Sequence, residues 1–213
     1  MASSYANQIP VVLYVMQKLM PKRILDIGKG FGKYGFLIHE YVGIDYTTKP
    51  NPAVSLANQS TIRIDAVDIN EDYSFPHLDQ MYDKVIIRNV LDDYSDLNQY
   101  DVILMCDVIE HLEKGRAIGL LKHFIGLGAT MVIATPRDFF EQELFESEAE
   151  NHVSHWTVRD FKQIGYVDSQ AAGPGVVYVV SAKPVSIVGF GNRPVQKLKR
   201  TARFLLDEFG GGR

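Results

Sequence analysis

Short apolar runs alternate along the chain with longer segments in which apolar residues recur at helical spacing. Such short runs, rich in Ile and Val, are typical of strands buried on both faces of a parallel sheet. Strands are predicted at Arg23–Ile27, Ile62–Ile69, Lys84–Arg88, Val102–Cys106 and Thr130–Thr135. Helices are predicted at Pro10–Met20 and Glu113–Leu127. Strands separated by helices indicate an α/β fold with a doubly wound, mostly parallel sheet.

Two further β-rich runs lie near the end of this region. Tyr166–Ala172 and Val176–Ala182 flank Gly173-Pro174-Gly175, and a Gly/Pro turn between two such runs predicts an antiparallel hairpin. With the five earlier strands, the hairpin gives a seven-stranded sheet.

The first predicted strand carries an acid, Asp26, and runs into three alternating glycines, Gly28, Gly30 and Gly32. Glycine lets the backbone turn sharply and lets a ligand approach closely. A helix is predicted to begin near Tyr34. This stretch resembles motif I of the class I S-adenosylmethionine-dependent methyltransferases, whose pattern is acid-x-Gly-x-Gly-x-Gly. The resemblance implies a three-layer fold and S-adenosylmethionine as cofactor, held here by residues that include Asp26, Gly28, Lys29, Gly30, Gly32 and Tyr34.

The same loop allows a second interpretation, because Gly30 to Gly35 also satisfies the dinucleotide pattern G-x-G-x-x-G. That pattern expects a ribose-binding acid about 20 residues further on, and Pro50 to Ser55 contains none. An acid before the glycines also suits a cationic ligand better than a pyrophosphate. An NAD(P)-dependent oxidoreductase remains the alternative, and a non-catalytic S-adenosylmethionine-binding protein is a third hypothesis.

Acids that could hold the ribose diol of the donor follow the next strand. Asp68, with Ile69 beside it, ends a convincing strand, whereas Asp45 leaves too few residues before it for a helix and a strand. Asp68 is therefore preferred. The third strand leads to Asn89 and Val90, which are expected at the adenine. The family commonly has Asp at the position of Asn89, and the alternatives here are Asp92 and Asp93.

The fourth strand ends in Asp107-Val108-Ile109-Glu110-His111-Leu112, which resembles motif IV of small-molecule methyltransferases. Ligands of open α/β sheets bind beyond the carboxyl ends of the strands. Asp107 and Val108 are therefore expected at the donor. His111 is either a general base or a histidine that is hydrogen-bonded at a helix start.

After the fifth strand, Thr135-Pro136 precedes an acidic stretch and then the pattern Glu-x-His-x-Ser-x-Trp at 150–156. The whole run resembles a subset of these enzymes that act on small polar acceptors such as sugars. His152 and His155 are expected to flank the acceptor pocket, with Trp156 as an apolar wall. Five glutamates precede them: Glu141, Glu143, Glu146, Glu148 and Glu150.

These glutamates form a solvated face, favour a cationic acceptor, or bind a metal together with His152. No metal site is predicted, because the tight spacing of a dedicated motif is missing. The resemblance implies methylation of an oxygen or nitrogen of a small molecule, a sugar or another polar metabolite, with His111 or His152 taking the proton.

Composition narrows the class of protein. The net charge of −4 over 213 residues gives no general case for nucleic acid as a partner. The single cysteine, Cys106, lies in an apolar run and is expected to be buried and inert, as in a reducing cytosol. The chain lacks an apolar run of membrane-spanning length and a signal-peptide pattern, so a soluble, cytoplasmic protein is expected.

The methyltransferase domain is predicted to span 1–183, followed by an extension at 184–213. Residues 193–213 carry six Lys or Arg against two acids. Apolar residues recur there at helical spacing: Val195, Leu198, Ala202, Leu205 and Phe209. This basic amphipathic helix is expected to dock on the protein's own core, on a second subunit of a homodimer, or on an anionic membrane surface.

Overall fold

Seven strands form one sheet in the order β3-β2-β1-β4-β5-β7-β6. The strands are β1 Arg23–Ile27, β2 Arg63–Asp68, β3 Lys84–Ile87, β4 Val102–Cys106, β5 Thr130–Pro136, β6 Tyr166–Ala172 and β7 Gly175–Ser181. The computed structural model describes residues 5–45, 47, 51–71, 76–138 and 151–187. β1 to β5 pair in parallel, and β7 runs antiparallel between β5 and β6. The predicted fold is confirmed, including the terminal hairpin that a plain dinucleotide-binding sheet lacks.

The helices cover both faces of the sheet. They are α1 Gln8–Leu19, α2 Lys33–Ile38, α3 Leu56–Gln59, α4 Lys114–Gly126 and α5 Val158–Lys162. Val12 and Met16 of α1 pack with Leu104 in one core, while Leu120 and Phe124 of α4 pack in the other. Because successive residues of β4 point to opposite faces, all five are buried, as the continuous apolar run predicts.

The predicted boundaries are wrong by one or two residues at several ends, because caps rather than apolar residues set them. α4 begins at Lys114, since the Glu113 carboxylate accepts the N–H groups of Gly115 and Arg116 at 2.8 Å. α1 begins at Gln8, two residues before the predicted Pro10, and ends at Leu19. There Met20 adopts a left-handed φ of 46° and its N–H bonds to the Met16 carbonyl. Neither the Glu113 cap nor the left-handed Met20 is visible in the spacing of apolar residues, from which the helices were predicted.

Cys106 is buried, as predicted, and burial raises the pKa of its thiol well above its usual range. The thiol is therefore a packing group rather than a nucleophile.

Packing on the domain continues past the predicted boundary at residue 183. The side chain of Ile187 is buried, and its N–H donates to Oδ2 of Asp168 at 2.7 Å. Lys18 Nζ donates to the Ser186 carbonyl at 3.3 Å. The start of the extension thus contacts the domain, and the predicted amphipathic helix at 193–213 lies outside the described residues. Within the described part of the chain, no helix has the length and apolar character needed to cross a membrane.

Candidate donor and acceptor sites

The loop after β1 (Gly28–Gly32, the glycine loop) is packed against side chains at Gly28 and Gly32 and is open at Gly30. Gly28, Gly30 and Gly32 have left-handed φ values of 75°, 49° and 81°, which favour glycine. A Cβ on Gly28 would lie 2.2 Å from Cγ2 of Val108, and one on Gly32 would lie 2.6 Å from a Leu78 methyl. A Cβ on Gly30 would meet no atom within 4 Å. The loop is therefore a cradle that faces open space at Gly30, and it fits a ligand there.

Asp68 lies at the end of β2, against the glycine loop. Its Oδ2 accepts the Gly30 N–H at 3.0 Å, and its Oδ1 accepts the Asn70 N–H at 2.9 Å. The buried ammonium of Lys29 lies 3.9 Å from Oδ2. Burial lowers the pKa of Lys29, whereas the negative charges of Asp68 and Asp26 act to raise it. Asp68 and Lys29 thus lie side by side at the glycine loop.

The rival acid, Asp45, does not follow any strand among the described residues. It is exposed, and its Oδ1 accepts the N–H of Thr47 at 2.9 Å in a local turn. Ile69, next to Asp68, is 53% exposed, which leaves an apolar side chain at the carboxyl edge of the sheet. Tyr34, by contrast, is buried in the core at the start of α2.

Asp26, the acid before the loop, is buried at the end of β1. The hydroxyl of Tyr82 donates to its Oδ2 at 2.7 Å. Burial raises the pKa of Asp26 to about 6, and Asp68 adds to this rise, while Tyr82, Lys29 and Lys33 oppose it. Sequence reasoning missed Tyr82, since it is 56 residues from Asp26 and belongs to no motif.

The predicted adenine residues follow β3. Asn89 is half-buried, and its side-chain oxygen already accepts the N–H of Leu91 at 2.9 Å, closing a local turn. Val90 is buried in the core beneath. The two alternative acids are engaged elsewhere: Asp92 pairs with Arg116 at 2.9 Å, and Asp93 accepts the Ser95 N–H at 2.9 Å.

Asp107 follows β4 in a strained conformation. Its φ of 55° is left-handed, which costs a residue with a Cβ about 1 kcal/mol or more. Its N–H donates to the Ala134 carbonyl at 2.8 Å, and the next residue, Val108, fills the space beside Gly28. This left-handed residue leads the chain from the end of β4 into the short 3-10 turn Ile109–His111.

Glu110, His111 and His152 (the Glu-His cluster) each offer one ligand atom, and these atoms lie within 4.8 Å of one another. The two imidazole rings have centroids 4.9 Å apart. Glu110 is buried and its Oε2 accepts the Thr135 hydroxyl at 3.0 Å. Burial, and then Asp107, raise the pKa of Glu110 to about 8. Two imidazoles and a carboxylate suit a divalent ion such as Zn²⁺ or Mn²⁺, a site that the sequence analysis did not predict.

His152 reaches this cluster because Ser154 and Trp156 fasten its segment to the 3-10 turn. Trp156 Nε1 and the Ser154 hydroxyl each donate to the Ile109 carbonyl, at 3.0 and 3.1 Å. The N–H groups of Val153 and Ser154 donate to the Glu110 carbonyl. Ser154 and Trp156 are therefore structural members of the motif, while His152 is the member that they position.

The prediction that Trp156 forms a wall of the acceptor pocket is wrong. Its side chain is 1% exposed and stacks on Phe161 with ring centroids 5.2 Å apart, so it is a core residue. His155 points away from the cluster, is exposed, and its Nε2 lies 3.0 Å from the Arg137 carbonyl. The alternation of an extended segment puts His152 and His155 on opposite sides. The five glutamates from Glu141 to Glu150 lie outside the described residues.

Solved structures of methyltransferases have a similar fold. No protein-family model and no curated protein matches the chain. Among solved structures, it is similar to the methyltransferase domain of a bacterial Hen1 protein, with a TM-score of 0.57 and 17% identity over 84% of this chain and 98% of that one. The small RNA methyltransferase HEN1 has a TM-score of 0.59 and 15% identity, over 87% of this chain and 27% of that one.

A TehB-like S-adenosylmethionine-dependent methyltransferase from Corynebacterium glutamicum is also similar. Its TM-score is 0.52 and its identity 14%, over 82% of this chain and 87% of that one. The chain therefore has the class I methyltransferase fold, and the resemblance stated from the sequence is confirmed at the level of the fold.

Proposed function

We propose that this protein transfers a methyl group from S-adenosylmethionine to a hydroxyl or a protonated nitrogen of a small polar molecule, with sugar hydroxyls as the leading class. One observation carries the proposal. The open cradle at Gly30, flanked by Asp26 and Asp68, lies at the same strand edge as the Glu-His cluster. A donor site and a group able to take a proton are the two parts that such a transfer needs.

The glycine loop and its two acids suit the donor's chemistry. When bound, S-adenosylmethionine supplies an electrophilic methyl group on a positively charged sulfur. Asp68, whose oxygens accept one N–H each, retains lone pairs for a ribose diol. The buried carboxylate of Asp26 offers a negative charge to the cationic amino-acid end. These residues hold and orient, which is the larger part of catalysis for an already activated donor.

The Glu-His cluster supplies a base. Nδ1 of His111 lies 3.1 Å from the Asn151 carbonyl oxygen. Because a carbonyl can only accept, the neutral ring carries its hydrogen on Nδ1, and Nε2 is the basic nitrogen. His111 Nε2 or the imidazole of His152 takes the proton from the acceptor as its oxygen or nitrogen bonds to the methyl carbon.

A second candidate function is favoured by the close spacing of the cluster: a methyl transfer that depends on a divalent ion. Glu110, His111 and His152 would hold the ion, which would lower the pKa of a bound acceptor hydroxyl. Titration of the protein with Mn²⁺ should show one site that is lost in His152→Ala, and a chelator should remove activity. Full activity after chelation would leave the imidazoles as bases.

The acceptor is proposed to be small rather than a nucleic acid. One structural neighbour is a small RNA methyltransferase, so RNA is the competing acceptor. Five glutamates at 141–150 directly precede His152, and the whole chain carries −4. Polyanions bind through cationic surfaces, so this charge favours an uncharged or cationic acceptor.

The test is a transfer assay with methyl-labelled donor against sugars, sugar nucleotides, amines and short RNA. Label should enter a small polar acceptor, while label in RNA alone would overturn the proposed acceptor class. Tight donor binding without transfer to any acceptor would favour a non-catalytic binding protein. Stabilisation by NAD(P) but not by S-adenosylmethionine would favour the oxidoreductase.

A further inference from the structure

Tyr82 contacts β1 and α2 from the segment that connects β2 and β3. It lies in the connection between β2 and β3, directly after the 3-10 turn Pro76–Gln80. Its ring is buried and its hydroxyl donates to Asp26 Oδ2 at 2.7 Å. A buried phenol and a buried carboxylate that satisfy one another form a specific arrangement, because either group alone would be costly to bury.

Gly35 on α2 makes room for this arrangement. A Cβ there would lie 2.7 Å from Cζ of Tyr82 and 2.9 Å from its hydroxyl oxygen. The phenol therefore packs closely against α2 and donates to the acid near the end of β1. Gly35, the last glycine of the apparent dinucleotide pattern, has a different role here: it admits Tyr82.

We propose that Tyr82 is a positioning residue that holds the Asp26 carboxylate, oriented and charged, for the cationic end of the methyl donor. This inference rests on the proposed function. A hydroxyl that donates to a carboxylate stabilises its charged form and restricts its rotation. Without that bond, a carboxyl at this depth retains its proton to higher pH and presents less negative charge to a cation.

The groups that face Asp26 from the surrounding elements do not replace Tyr82. Lys29 of the loop and Lys33 of α2 favour the carboxylate through charge alone, and Asp68 of β2 opposes it. The Cys106 thiol of β4 is neutral, since burial raises its pKa. Among the causes that favour the charged form of Asp26, the Tyr82 hydrogen bond is the largest.

The chain offers a matched control. Tyr100 donates to Oδ2 of Asp65 at the same distance, 2.7 Å, and Asp65 lies beside Leu25 in the sheet, three residues before the end of β2. Tyr82→Phe and Tyr100→Phe each remove one hydroxyl from one Tyr–Asp pair. Gly35→Ala should disturb the same Tyr82–Asp26 hydrogen bond from α2, because its methyl group would displace the Tyr82 ring.

Two measurements test the inference. In the donor-free protein, carboxyl NMR should show that Tyr82→Phe moves the Asp26 titration to higher pH, while Tyr100→Phe leaves it unchanged. By calorimetry, Tyr82→Phe and Gly35→Ala should weaken binding of S-adenosylhomocysteine about ten-fold near pH 6.5. The difference in affinity between each variant and the wild type should shrink at higher pH, where Asp26 is charged in every variant.

Each result either supports or contradicts the proposed role of Tyr82. A purely structural Tyr82 would lower the melting temperature without moving the Asp26 titration or the pH profile of binding, and this result would overturn the inference. If the wild-type protein binds no S-adenosylhomocysteine, the proposed function fails. The titration in the donor-free protein would still report separately whether Tyr82 controls the charge of Asp26.

Discussion

At the scale of single residues, the candidate site buries a carboxyl group, Asp26, whose charged form is disfavoured by that burial. Asp26 lies in the interior and its pKa is raised to about 6, mainly by burial. The folded state therefore holds the Asp26 proton to higher pH than the unfolded chain, whose carboxyl has a pKa near 3.8. Stability is lost as pH rises between these values. An acid kept at this cost indicates a role in binding rather than in folding.

Asp26→Asn is therefore expected to stabilise the donor-free protein. At pH 7.5 the gain is at most about 3 kcal/mol in the free energy of unfolding, and it shrinks toward about pH 4. Urea unfolding at both pH values measures it. The same variant should bind S-adenosylhomocysteine poorly, and equal stability at pH 7.5 would contradict the account of Asp26.

The two histidines of the 151–157 segment should differ sharply. His152→Ala is expected to lower kcat at least about a hundred-fold, in line with the loss of a general base or an ion ligand. His155→Ala, a matched change three residues further along the same segment on its exposed side, should leave kcat within about two-fold, since surface changes away from a site have small effects. Equal loss in both variants would contradict the assignment of His152.

At the scale of elements, the strands are predictable because a parallel sheet buried on both faces requires continuous apolar runs. β1 and β4 match their predicted bounds. The glycine loop and Asp68 are also predictable, since backbone conformation and strand-end position leave traces in sequence. The Tyr82–Asp26 bond is not, because a contact across 56 residues has no local period. Trp156 was misassigned, since a motif does not separate residues that contact a ligand from those that hold the segment.

Ser154 tests this division within the motif. Ser154→Ala removes the hydroxyl that donates to the Ile109 carbonyl and accepts the Trp156 Nε1–H. Stability should fall by about 1–2 kcal/mol, and kcat should fall while the affinity for S-adenosylhomocysteine is unchanged, because His152 rather than the glycine loop is displaced. Unfolding curves and calorimetry together measure this, and a loss of donor affinity would contradict it.

At the scale of the whole molecule, the sheet brings together groups that are far apart in the chain. The ends of β1 and β2 carry the glycine loop and Asp68, and the end of β4 carries Asp107 and the turn with Glu110 and His111. The hairpin of β6 and β7 completes the sheet beside β5. The proposed donor and acceptor groups thus share one edge, where ligands of open α/β sheets bind.

The central claim is that this edge binds S-adenosylmethionine through Asp68, and calorimetry with S-adenosylhomocysteine tests it most directly. The wild-type protein should bind one equivalent, and Asp68→Ala should weaken binding at least about ten-fold. Asp45→Ala, which removes the exposed rival acid, should bind as the wild type does. Absence of binding to the wild type, or an unchanged affinity in Asp68→Ala, would contradict the account.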